Sequence, residues 1–142
     1  MVKMLLTNDA EFVEINILGR MHPDSSNYWD ANWLDAKIVI EITSFKACYY
    51  TALRVDDFKS FYEELIDLQK NNLEEVLFTT IEEGLLLRCA IKKRGNFICS
   101  GQAQDGSLNL LNFKIIFEHN ALSRLIAQLE EILKQYPLIG AP

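Results

Sequence analysis

Seven stretches of this chain alternate apolar and polar residues with a period of two, and two others repeat near 3.6. That switch of period constrains the fold more than any other feature. A strand buries every second residue on one face of a sheet, whereas a helix buries a stripe at i, i+3, i+4 and i+7. The strand-like runs are 11–18, 33–42, 45–53, 75–81, 85–92, 97–103 and 108–118. The clearest is "WLDAKIVIEI" (33–42), which sets Leu34, Ala36, Ile38, Ile40 and Ile42 inward and Asp35, Lys37 and Glu41 outward. At 56–71 the period lengthens: Phe58, Phe61, Tyr62, Leu65, Ile66 and Leu68 share one stripe, with Glu63, Glu64 and Asp67 on the wet face. The last helix reads from a cap at Asn120 through Leu122, Leu125, Ile126, Leu129, Ile132, Leu133 and Tyr136, and Pro137 stops it.

The connections are short. Thr43-Ser44, Glu83-Gly84, "KRGN" (93–96) and Asp105-Gly106 all carry turn formers, which makes neighbouring strands antiparallel. "HPDSSN" (22–27) reads as a loop, Asn71-Asn72 closes the first helix, and Asp56 or Asp57 is suited to its N-cap. The expected order is β-β-β-α-β-β-β-β-α. This is an α+β fold in which two amphipathic helices lie on an antiparallel sheet of six to seven strands, open to a sandwich-like division. Both halves end strand-then-helix, yet their sequences do not match, so no repeat is read. With 142 residues, no linker and no low-complexity segment, residues 1–142 are expected to form one domain.

The chain is 49% hydrophobic and 24% charged, as a globular protein should be, and no apolar run reaches the ~20 residues that span a bilayer. "MVKMLL" gives way at once to Thr7, Asn8 and Asp9, too short for a secretory segment, so a cytoplasmic location is expected. Cys48, Cys89 and Cys99 are odd in number, fit no zinc spacing and sit in apolar runs. They read as buried free thiols. The net charge of −6 is uneven: residues 1–83 carry −9 and residues 84–142 carry +3. Within 56–83, nine acids face only Lys59 and Lys70. Such a field repels nucleic acid and favours a basic partner. The bland alternative is a solvated helix face with acidic turns.

No catalytic set is legible. His22 and His119 share no motif with an acid or a cysteine, the six glycines are scattered at turns, and there is no P-loop, G-x-S-x-G or G-x-G-x-x-G. Adjacent pairs such as Glu63-Glu64 and Glu82-Glu83 do not face each other across a cleft. The only basic cluster, "KKR" at 92–94, reads as a polar turn rather than a nucleic-acid groove. No enzyme, no metal, no cofactor, no membrane and no direct nucleic-acid contact are therefore expected. Both tryptophans stand in "NYWDANWLDAK" (27–37), where Tyr28, Trp29 and Trp33 lie beside Asp30 and Asp35. Trp33 shares parity with Asp35 and so points away from the Leu34 face. The cluster reads first as packing over a structural corner, second as a partner contact and third as a stacking wall for a ligand.

The order of several short motifs is distinctive. "D-x-x-W-L" occurs as Asp30, Trp33 and Leu34; a helix opens "DDFKSFYEELIDL"; then come "IEEGLLLR", "GQAQDGS" and a closing "ALSRLIAQLEEILKQYPLIGAP". This succession, over nearly the whole chain, resembles the WapI-type immunity proteins of Gram-positive bacteria. The resemblance implies a protein that protects its producer from the C-terminal toxin domain of a cell-wall-associated protein used in contact-dependent competition. Such domains are typically nucleases, tRNA being one target. A ribonuclease presents a basic cleft, which an acidic inhibitor can occupy or abut. The expected contact residues are Glu63, Glu64, Asp67, Glu74 and Glu75, with Tyr28, Trp29 and Asp30 as a second patch. The competing class is a small-ligand-binding or regulatory module, which a formed pocket and indifference to any toxin would favour.

Overall fold

The computed structural model describes residues 2–92 and 95–142. Among the described residues there are eight strands and three α-helices: β1 (Lys3–Thr7), β2 (Phe12–Arg20), α1 (Tyr28–Ala31), β3 (Trp33–Ile42), β4 (Phe45–Arg54), α2 (Val55–Gln69), β5 (Glu75–Phe78), β6 (Leu85–Ile91), β7 (Phe97–Gln104), β8 (Leu110–Phe117) and α3 (Asn120–Gln135). The strands form two four-stranded antiparallel sheets, ordered β1-β2-β3-β4 and β5-β6-β7-β8. The α+β class and the meander hold, and the division into two sheets is now explicit. Strands β3 and β4 match the expected bounds to within a residue, and the Thr43-Ser44 turn joins them with Ile42 opposite Phe45.

The eighth strand is β1, at the segment weighed only as a leader. Met4 and Leu6 are buried while Lys3 and Thr7 are exposed, which is a period of two over five residues. So short an alternation carries little signal until β2 pairs with it. The 22–27 loop is followed by one further turn of helix, α1, whose Asn27 side chain accepts from the Asp30 N–H at 2.8 Å. Both helix caps also differ from expectation. Helix α2 starts at Val55 with Arg54 in the N-cap position, and Asp57 at the third helical residue accepts the Arg54 N–H at 2.8 Å. In α3, Asn120 is the first helical residue and His119 precedes it without a side-chain bond. Of the three thiols, Cys89 and Cys99 are buried opposite each other in β6 and β7, but Cys48 is exposed on β4. Its neighbours alternate in and out, and Cys48 falls on the outer parity with Lys46 and Tyr50.

Each half is a four-stranded meander followed by a helix, so the architecture repeats although the sequence does not. The helices are exchanged between the halves: α2 packs on β5, α3 packs on β1, and the two helices pack on each other. Phe78 of β5 lies with its ring 5.6 Å from Phe58 and 5.2 Å from Phe61 of α2. On the other side, the Gln128 side chain of α3 accepts the Leu5 N–H at 2.6 Å and donates to the Leu5 carbonyl at 3.2 Å. One continuous apolar core results, drawn from both sheets and both long helices. Phe58, Leu65, Leu125 and Leu129 of the expected helix stripes are buried, with Tyr62 and Leu133 half-buried at its margin. Two special backbone positions serve this packing. A bulge between Ile17 and Gly19 (φ 151°) throws Leu18 outward, and Gly101 lies under the Phe113 ring, where a Cβ would collide with it.

Candidate interaction site

The 27–37 stretch is a corner built on one arginine. Arg54, at the end of β4, pairs across the ladder with Trp33 and is almost wholly buried. Its Nη1 donates to the Trp29 carbonyl at 2.6 Å and its Nη2 to the Tyr28 carbonyl at 3.2 Å, while Nε donates to Asp56 Oδ1 at 3.2 Å. The guanidinium also lies over three aromatic faces, 4.4 Å from the Trp29 ring, 5.1 Å from Trp33 and 5.2 Å from Tyr28. Trp29 and Trp33 meet edge to face at 5.6 Å. Asp56 is the counter-ion, 3.2 Å from Nη2, and it also accepts from the Tyr28 hydroxyl, a bond that raises the phenol's pKa. A buried guanidinium is satisfied here by two carbonyls, one carboxylate and three π faces, the arrangement a desolvated cation requires.

Asn32 secures the same corner from beneath. Fully buried, it donates to the Tyr28 and Ile139 carbonyls at 2.7 and 2.9 Å and accepts the Ile139 N–H at 3.0 Å. The C-terminal tail is thereby bound to α1. Arg20 adds a second tie, donating to the Ala31 carbonyl at 2.7 Å and the Pro137 carbonyl at 2.6 Å. Neither Arg54 nor Asn32 stood out in the sequence. The one available hint was a lone arginine between the apolar "TAL" and the acids "DD", a cation with no solvent-side reason to be there.

The acidic residues stand elsewhere. Glu63 and Asp67, one helical turn apart on α2, are exposed, and Lys59 lies 3.6 Å from Glu63. Glu64 is half-buried; partial desolvation and the nearby Asp67 push its carboxyl up. Glu74 and Glu75 are exposed beyond the helix end, and Glu75 is engaged by Arg88 at 2.5 Å. Asp56 and Asp57 belong to the folded framework rather than to the wet face. Burial raises the Asp57 carboxyl to about 6, opposed by the Arg54 N–H and reinforced by Asp56. The expected patches therefore separate. Tyr28 and Asp30 are half-buried and Trp29 is 53% exposed, and their corner meets the first turn of α2. Asp67 lies eleven residues further along, roughly 16 Å down the axis at 1.5 Å per residue. Among the described residues, no group of three or more His, Cys, Asp or Glu is placed to hold a metal.

A profile of the immunity protein WapI-like family matches residues 4–137. The chain belongs to that family. The match runs from within β1 to just past α3, so the WapI-like assignment rests on nearly the whole chain and not on the corner alone. An immunity role follows, with a cognate toxin as the partner that such a role implies. A comparison with curated protein sequences finds no match. Among solved structures, a chain described under "Crystal structures of trypanosoma bruciei MRP1/MRP2" is similar, with a TM-score of 0.52 and 9% identity over 94% of this chain and 83% of that one. At that identity the likeness is one of fold, two meander-and-helix halves, and nothing of function is carried over. Among the described residues of the WapI-like chain, no helix is long and apolar enough to cross a membrane.

Proposed function

We propose that this immunity protein acts in the cytoplasm as a binding domain, without catalysis, and neutralises the nuclease toxin domain, a tRNase for preference, of a cognate contact-dependent cell-surface protein. The observation that carries the reading is the exposed carboxylate set Glu63, Asp67, Glu74 and Glu75 with half-buried Glu64, in a segment where nine acids meet two lysines. A nuclease must gather polyphosphate in a basic cleft, and a carboxylate face competes with RNA for that field and speeds encounter. Tyr28, Trp29 and Asp30 are the second contact we assign, with half-exposed Trp29 as the anchor, pre-ordered by its stacking on Arg54.

Co-expression with the toxin domain encoded beside this gene should restore growth, and the two should copurify. The charge-reversal set Glu63→Lys, Glu64→Lys and Asp67→Lys should leave the fold intact, since these side chains make no bond that holds the core. It should slow toxin association about tenfold or more at low salt, an effect that shrinks as ionic strength rises. Unchanged association rates across that salt range, in a correctly folded triple variant, would take the α2 face out of the interface.

A further inference from the structure

A sheet edge is a template for another strand unless something blocks it. Among the described residues this protein has four edges; two are covered and a third is capped at one point. The Gln128 side chain occupies both backbone groups of Leu5 on β1. Strand β5 is only four residues long and lies against α2. On β8, the Asn8 side chain donates to the Ile116 carbonyl at 3.1 Å. Strand β4 is different. Its ten residues pair with β3 on one side only. The two-residue turn makes Ile42 and Phe45 a bonded pair, so Ala47, Tyr49, Thr51 and Leu53 bond back to β3. Lys46, Cys48, Tyr50, Ala52 and Arg54 then direct their backbone groups outward. The Arg54 N–H confirms this phase by reaching Asp57. Among the described residues, no side chain or loop occupies the N–H or carbonyl of the other four. Lys46 and Cys48 are exposed and Tyr50 is 68% exposed, so the free run is roughly 20 Å long at 3.4 Å per residue.

A groove of about 380 Å³ runs beside Tyr50, Thr51 and Ala52, closed on its far side by Glu82, Gly84, Gln104, Asp105 and Gly106. Its two charged residues are both acidic. The Asp105 carboxylate is held below its usual range by the Asn109 side chain and the Ser107 N–H, so it is charged under all ordinary conditions. We propose that the free edge of β4 is a strand-addition site for an extended segment of the toxin domain that carries lysine or arginine at alternate positions. Its backbone would complete the ladder at Lys46, Cys48, Tyr50 and Ala52, and its cationic side chains would face Glu82 and Asp105. A second copy of this chain is a poorer occupant, since its own β4 brings one exposed base, Lys46, to the two acids. The edge also ends at Arg54, beneath Trp29, and so continues into the aromatic contact assigned above.

The inference rests on the toxin-binding reading, and its test separates the two. Amide hydrogen exchange is measured on the wild-type protein, alone and with the toxin domain encoded beside it. Protection gained at residues 46, 48, 50 and 52 on complex formation supports strand addition. In parallel, Tyr50→Pro removes one outward N–H without touching the β3 ladder, and should weaken the complex about tenfold or more. Glu82→Lys should slow association at low salt. A complex that forms with no protection at these amides overturns the inference and leaves the immunity reading standing. Protection that appears in the free protein and grows with its concentration also overturns it, in favour of a second copy. Absence of any complex removes both.

Discussion

Arg54 shows how one buried charge can order a whole corner. Its guanidinium binds the carbonyls of Tyr28 and Trp29 and lies under three aromatic faces, so α1, β3, β4 and α2 converge on one side chain. Arg54→Ala takes one donor each from the Trp29 carbonyl, from the Tyr28 carbonyl (which keeps Asn32) and from Asp56 (which keeps the Tyr28 hydroxyl), and should cost about 3 kcal/mol, the low end for breaking a buried pair because Asp56 is partly wet. Denaturant melts give the cost, and tryptophan emission should shift to the red as Trp29 and Trp33 lose their platform. Asp57 yields a pH signature. Its folded carboxyl stands near 6, against an ordinary 3.8, so the folded state holds a proton that the unfolded chain has already released between these values. That contribution is full at low pH, declines from about pH 4 to 6 and is gone above it, with an upper bound of about 3 kcal/mol. Asp57→Asn retains the acceptor for the Arg54 N–H, and stability curves over that range should lose this downward component.

At the scale of elements, the helices are held by their contacts with the opposite half more than by their own caps. Neither α2 nor α3 has a favoured capping residue at its start, Arg54 and His119 occupying those positions. What fastens them is an apolar stripe, Phe58, Phe61, Leu65 and Leu68 in one and Leu122, Leu125, Leu129 and Ile132 in the other, all buried. Leu129 is wholly inaccessible, so Leu129→Ala should destabilise by roughly 2–5 kcal/mol, measured by chemical denaturation. A value near zero would contradict the helix phase. The end of α2 is set by a local device instead: Asn71 takes a left-handed φ of 63°, and the Asn72 N–H returns to the Asp67 carbonyl at 2.9 Å.

For the molecule as a whole, the exchange of helices makes each half depend on the other. Without α3, β1 loses the partner of Leu5; without α2, β5 loses Phe58 and Phe61 from beneath Phe78. We propose on this ground that the chain folds as one domain. A single cooperative unfolding transition should be seen by both circular dichroism and fluorescence. Separately produced halves, cut between Asn72 and Leu73, should be unfolded alone and regain structure only on mixing. A stable isolated half would show that the exchange is incidental. The sequence by itself determined most of what is periodic: the α+β class, the buried faces of β2, β3, α2 and α3, the hairpin of β3 and β4, and the outward parity of Trp33. These are legible because side-chain direction follows from backbone geometry within a few residues. Tertiary structure alone decided the short β1, the division into two sheets, the exposure of Cys48, the arginine corner and the open edge of β4. Each depends on which segments meet across a long stretch of chain, as Asn32 meets Ile139 and Gln128 meets Leu5. No local period encodes such meetings, because they are fixed by the burial of all the elements at once.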